Sequence, residues 1–133
     1  MSGSHPNAIM LRKIYADLSC IDQYVDDDVI LHTASREIPG HARNVVGKKA
    51  VLEKELELIE LTNNTLIMDV KDITANDHFG AVFGMLRIFI KGQHHEMPFC
   101  GLWRFRNGRI VEHWENAYDA AKLNRYFLGR CRT

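Results

Sequence analysis

The stretch Gly101–Asp119, GLWRFRNGRIVEHWENAYD, decides how this chain folds and where its chemistry lies. It reads as two strands joined by a tight turn at Arg106-Asn107-Gly108, and it holds both tryptophans of the chain. His113 and Glu115 stand two apart, so on a strand they share a face. An imidazole and a carboxylate side by side on an otherwise apolar sheet are the elements of acid–base catalysis. The same spacing also suits an ordinary half-exposed strand, so the direction in which the pair faces matters more than its presence.

Two readings of the turn give opposite faces. A two-residue turn pairs Phe105 with Ile110 and Trp103 with Glu112, which sends His113 and Glu115 to the outer face. A three-residue loop, with Gly108 left-handed in a bulge, pairs Trp103 with Val111 and turns both residues inward. A slip of one residue exchanges every side chain between the faces. Local chemistry alone does not choose.

Working outward, Gln93 ends a turn and His94–Arg106 alternates. His95, Met97, Phe99, Gly101, Trp103 and Phe105 form the inward set. His78–Lys91 is long, apolar and β-prone, and the alternation is read with Phe83 inward. Thr65–Thr74 is a further strand. Upstream, Lys48–Leu61 has helical spacing through Val51, Leu52, Glu55, Leu56 and Ile59, with Lys and Glu on the other side. Thr33–Val46, with Pro39-Gly40, is a long loop of the kind that serves as a lid or binding loop. Val29–His32 is a short strand, and Asp26-Asp27-Asp28 before it reads as a solvated turn. Ile21–Val25 reads as a short helix. Asn7–Leu18 is a helix whose apolar stripe is Leu11, Ile14, Tyr15 and Leu18. At the other end Asp119–Leu128 is a helix with Asp119 as N-cap. Residues 1–6 read as a flexible tail and 7–129 as one domain. Helices followed by long strands make an α+β domain, with helices on one face of a curved antiparallel sheet.

Composition narrows the partners. The chain has 133 residues, with 17 Lys plus Arg against 17 Asp plus Glu. A zero net charge argues against nucleic acid and against a polybasic membrane contact. It does little to oppose self-association. The three cysteines are far apart and form no CxxC pair, which points to a reduced, cytoplasmic setting. No apolar run approaches a membrane span. His94 and His95 are adjacent and point to opposite faces of a strand, so they cannot chelate together, and neither HxH nor HExxH occurs; no metal is expected. Cys100 lies on the outer face without an evident base. No phosphate loop, serine triad or dinucleotide fingerprint is present, and no cofactor is expected.

The element order, with DDDVILH at Asp26–His32, Pro39-Gly40 before VVGKKAV, and the Gly101–Asp119 stretch, resembles the nuclear transport factor 2-like superfamily. Within it the chain is most similar to the SnoaL-like polyketide cyclase and isomerase group, from about Leu11 to Leu128. The resemblance implies a cone in which a bent sheet wraps three N-terminal helices, with a short C-terminal helix. It implies an apolar pocket at the open end and a homodimer through the outer sheet face. It favours the three-residue turn and hence an inward His113 and Glu115. Glu115 stands where related cyclases keep a general acid–base. His32 stands where the superfamily's ketosteroid isomerases keep a base, and Gly101 where they keep a neutral carboxylic acid; that acid is missing here.

Glu115, His113 and His32 are therefore the expected catalytic residues. Tyr15, Phe83, Met97, Phe99 and Trp103 are the expected substrate-binding ones. The expected function is a cofactor-free enzyme for cyclisation, isomerisation or dehydration of a small apolar carbonyl compound. The alternative is a non-catalytic ligand-binding or dimerisation module of the same fold. An open pocket where His32, His113 and Glu115 converge favours the enzyme; a sealed cone, or a pair facing solvent, favours the module.

Overall fold

Helix α1, Pro6–Ala16, begins where a proline can begin one, since its missing N–H has no partner in a first turn. The His5 ring accepts the Asn7 amide there. The computed structural model describes residues 4–131, with side chains through 126; residues 1–3 of the expected tail and the Cys131 thiol lie outside the described residues. The short helix expected over Ile21–Val25 is a 3₁₀ helix set earlier, at Leu18–Gln23. Then come β1 (Val25–His32), β2 (Asn44–Val46), α2 (Lys48–Leu61), β3 (Ile67–Ala75), β4 (Phe79–Ile90), β5 (Gln93–Arg106), β6 (Arg109–Ala117) and α3 (Ala120–Cys131). The Asp119 side chain accepts the Lys122 amide at the start of α3. No helix among the described residues is long and apolar enough to cross a membrane.

The strands form one sheet in the order β2-β1-β6-β5-β4-β3. All neighbours are antiparallel except β1 and β6, which run parallel. Asp26, Asp27 and Asp28 belong to β1 rather than to a turn. They project from an irregular segment: the ladder to β6 skips between Val25 and Ile30. Asp26 meets Arg106 and Asp27 meets Lys48, which offsets the repulsion that argued for a turn. Leu11 and Ile14 of α1, Val51 of α2 and Ile88, Trp103 and Ile110 of the sheet fill the core with almost no exposure.

The turn between β5 and β6 resolves the two readings in a third way. Arg106 pairs with Arg109 and Phe105 with Ile110, so Asn107-Gly108 is a two-residue turn. Both residues have positive φ, 53° and 76°, as a type I′ turn requires. The ladder then shifts: Arg104 pairs with Glu112, which leaves Val111 as an extra residue. This bulge restores the inward facing of His113 and Glu115. Trp103 stands opposite His113, and Gly101 opposite Glu115. The expected three-residue turn is thus corrected, while the face it was meant to give is the face observed.

Phe83 is corrected outright. It pairs with Cys100 and lies half-exposed on the outer face with Phe79 and Phe89. Strand β4 is apolar on both sides but for Arg87, a single outer-face charge that marks its phase only weakly. Pairing of Val82 with Gly101 and Leu86 with Met97 fixes it instead.

Candidate active site

The concave face of the sheet and the helices enclose a cavity of about 250 Å³. Leu58 and Leu61 of α2, Leu86 and Ile88 of β4 and Phe99 of β5 give it apolar walls. Its rim comes from Thr33–Ser35, His41 and Ala42 of the long loop and from Leu123 and Asn124 of α3. A larger hollow of about 550 Å³ lies over the outer face, between Phe79, Leu102 and Trp114. It is an open depression, and Glu55 and Glu115 line the first cavity instead.

His113 is buried against Trp103, ring on ring, with centroids 3.4 Å apart. Its Nδ1 lies 2.9 Å from the Leu102 carbonyl. A carbonyl can only accept, so Nδ1 carries the hydrogen and Nε2 keeps a lone pair. Burial drives the ring's pKa down to about 3, against the Leu102 hydrogen bond that raises it. His113 is therefore a neutral acceptor at working pH, not a titrating acid.

Tyr15 comes from α1 and is buried between Phe99 and Trp103, stacked on the first and edge-on to the second. Its hydroxyl accepts the Trp103 Nε1–H at 3.1 Å. Its own proton is left for another acceptor. Burial pushes the phenol well above its ordinary pKa, so it stays a donor. Gly101 makes this arrangement possible: a Cβ there would stand 2.1 Å from the Tyr15 hydroxyl oxygen.

Glu115 lines the same cavity. Burial raises its pKa; a hydrogen bond with Glu55 and one from the Ala34 amide oppose the rise, with Lys54 and Arg36 helping. Arg36 ties the loop to this end of β6, donating to the Glu115 carbonyl at 2.6 Å, to the Asn116 side chain and to the Thr33 carbonyl.

Glu55 is the residue that sequence reasoning missed. It is 3% exposed on α2, while Leu56 beside it is 43% exposed. Its acid is held well above the usual carboxylate range, first by burial and then by the neighbouring Glu115. The helical spacing Val51–Glu55 put it on the buried face, and a carboxyl on the apolar side of a helix was the available signal.

His32 is not brought to the cavity. Leu31 faces the core, so His32 faces out. Its Nε2 meets Glu112 at 2.6 Å and its ring stacks on Trp114. Arg104 holds the other Glu112 oxygen at 3.0 Å. Burial works against the Glu112 charge, but these two partners prevail and hold its pKa low. Met97 is buried in the core and is not among the residues lining the cavity. Phe99 and Trp103 do line it. The pocket thus unites Glu115, His113, Tyr15 and Glu55 and leaves His32, Phe83 and Met97 elsewhere.

A family model described as a SnoaL-like domain matches residues 15–113. Among curated proteins, none matches the chain. Several solved structures share the fold. Bal32a, from a soil-derived mobile gene cassette, superposes with a TM-score of 0.76 at 20% identity, covering 92% of this chain and 96% of its own. TerC, co-crystallised with polyporic acid, does so at 0.74 and 16%, covering 92% and 98%. IdmH, a proposed polyketide cyclase from Streptomyces antibioticus, does so at 0.65 and 19%, covering 96% and 99%.

Proposed function

Because the chain belongs to the SnoaL-like domain family, matched over residues 15–113, we propose that it is a cofactor-free enzyme working by acid–base chemistry on an apolar carbonyl compound. The observation that carries this reading is the half-buried Glu115 carboxylate lining an apolar cavity beside a hydroxyl donor and an imidazole acceptor. A carboxylate shielded from water is a stronger base than a solvated one. Glu115 removes a proton from carbon next to a carbonyl. The Tyr15 hydroxyl donates to the oxygen as charge develops there. His113 Nε2 accepts from a hydroxyl elsewhere on the substrate and so fixes its orientation. Cyclisation, isomerisation and dehydration all begin with this step. The ligand named for TerC and the activity proposed for IdmH favour oxygenated ring compounds as substrates here.

The half-exposed phenylalanines Phe79 and Phe83, with Leu102 beside them, support a homodimer through the outer sheet face.

The test is hydrogen exchange next to a ketone. In deuterium oxide the wild type is expected to speed exchange of the C1 protons of 2-tetralone, and of a panel of similar cyclic ketones, over buffer. Glu115→Gln should slow it at least roughly tenfold. Equal rates for the two proteins across the panel overturn the proposal.

A further inference from the structure

The site holds two carboxyls, Glu55 buried and Glu115 half-buried, and the reading above uses one. Glu55 reaches the cavity from α2 and Glu115 from β6; both line it, and they are hydrogen bonded to each other. Two carboxylates cannot both ionise at contact distance away from water, so such a pair shares one proton. The surroundings decide where that proton rests. The Ala34 amide donates to the Glu115 carboxylate, and Arg36 acts on Glu115 but not on Glu55. Glu55 has Glu115 as its hydrogen-bond partner, with Lys54 the cation that acts on it. Tyr15 and His113 face the pair from α1 and β6 without charge. Glu57 and His41 stand further out along the cavity wall. The resting state is therefore a Glu55 acid donating to a Glu115 carboxylate.

We propose that Glu55 and Glu115 work as one acid–base couple, Glu55 protonating the carbonyl oxygen while Glu115 takes the proton from the adjacent carbon. The inference rests on the reading of Glu115 as the base and adds the acid. It also supplies from α2 the neutral carboxyl that Gly101 lacks. In the step, the C–H bond breaks and its proton passes to Glu115. The C–H electrons form the new C=C bond. The carbonyl π pair takes the Glu55 proton and becomes O–H, so a ketone becomes its enol. The proton now rests on Glu115 and the charge on Glu55. The pair begins and ends with a single negative charge, so the apolar cavity never holds a second one. Transfer across the Glu55–Glu115 hydrogen bond resets it. The substrate class that suits such a couple is a neutral ketone with an acidic neighbouring carbon. A carboxylate ligand would bring a further negative charge against the pair.

Two measurements test this. Carbon-13 NMR of protein labelled at the glutamate side-chain carboxyls should show one carboxyl still protonated at neutral pH. Its titration should be absent in Glu55→Gln and displaced in Glu115→Gln. In the 2-tetralone exchange assay, Glu55→Gln should lose roughly tenfold in turnover and lose the alkaline limb of the pH profile. If every glutamate titrates in the ordinary range and Glu55→Gln exchanges like wild type while Glu115→Gln is slow, the couple is overturned and the base reading survives. If neither variant slows exchange, the base reading falls as well. Should Glu55→Gln fail to fold, the wild-type titration still decides whether the proton is shared.

Discussion

Trp103 stands across the β5–β6 ladder from His113, and the two rings stack. That pairing exists only because Val111 takes no partner. Without the bulge, the tight Asn107-Gly108 turn would set Trp103 opposite Glu112 and send His113 and Glu115 outward. The inside of this protein is set by one extra residue.

Gly101→Ala tests how closely the cavity is fitted. The new methyl group would meet the Tyr15 hydroxyl and lie 3.3 Å from His113 Cε1. Tyr15 must move and release Trp103 Nε1, at a cost of about 1–3 kcal/mol. Urea unfolding should show that loss, and near-ultraviolet circular dichroism a changed tryptophan environment. An unchanged midpoint and spectrum would mean that Tyr15 does not sit against Gly101.

Replacing Glu55 and Glu115 together by apolar residues should stabilise the fold while removing activity. Buried polar pairs often cost stability relative to apolar replacements of similar volume, whereas loss of one member leaves the other unpaired. The Glu55→Leu, Glu115→Met double variant is expected to gain about 1–3 kcal/mol in urea unfolding at neutral pH. Destabilisation would show that the pair is a structural keystone.

Stability should depend on pH from both sides. His113 has its pKa lowered to about 3 in the folded protein, so its contribution is full above the ordinary histidine range and is lost as pH falls toward 3. The Glu55–Glu115 pair has raised values, so its contribution is full below the ordinary carboxylate range and is lost as pH rises through the shifted values. Unfolding free energies measured across pH should slope on both flanks. His113→Gln should flatten the acid flank and Glu55→Gln the alkaline one. A mutant curve parallel to wild type removes the corresponding assignment.

Phe83→Glu places a charge at the centre of the outer apolar face without touching the cavity. Sedimentation velocity should find the wild type dimeric and the variant monomeric, with ketone exchange per chain retained if the cavity is self-sufficient. A monomeric wild type, or a dimer that survives the charge, speaks against that face.

Much of this was legible in the sequence, and the failures have physical causes. The hairpin, helix α2 and the inward set of β5 followed from periodicity. In β5 the alternation is sharp because Glu96 and Arg104 mark the outer face. Strand β4 carries phenylalanines on its outer side, and Arg87 is the single charge that marks that side, so Phe83 was misplaced. His32 failed because it was placed by resemblance alone, while the alternation of buried Val29 and Leu31 turns it outward. The adjacent buried pair Ile110-Val111 was the trace of the bulge, since two neighbours on a regular strand cannot both face the core. Glu55 was hidden because glutamate on a helix is ordinarily a solvated residue.

The Ala34 amide that donates to Glu115 belongs to the same loop that rims the cavity. That loop is tied down at Arg36, and it touches α3 where His41 meets Asn124. Lifting it to admit a ligand would withdraw that hydrogen bond but also let water reach the carboxylate, whose raised pKa comes first from burial. Access and base strength are thus one variable: the carboxylate is the stronger base while the mouth is shut over it and weakens as the loop lets water in.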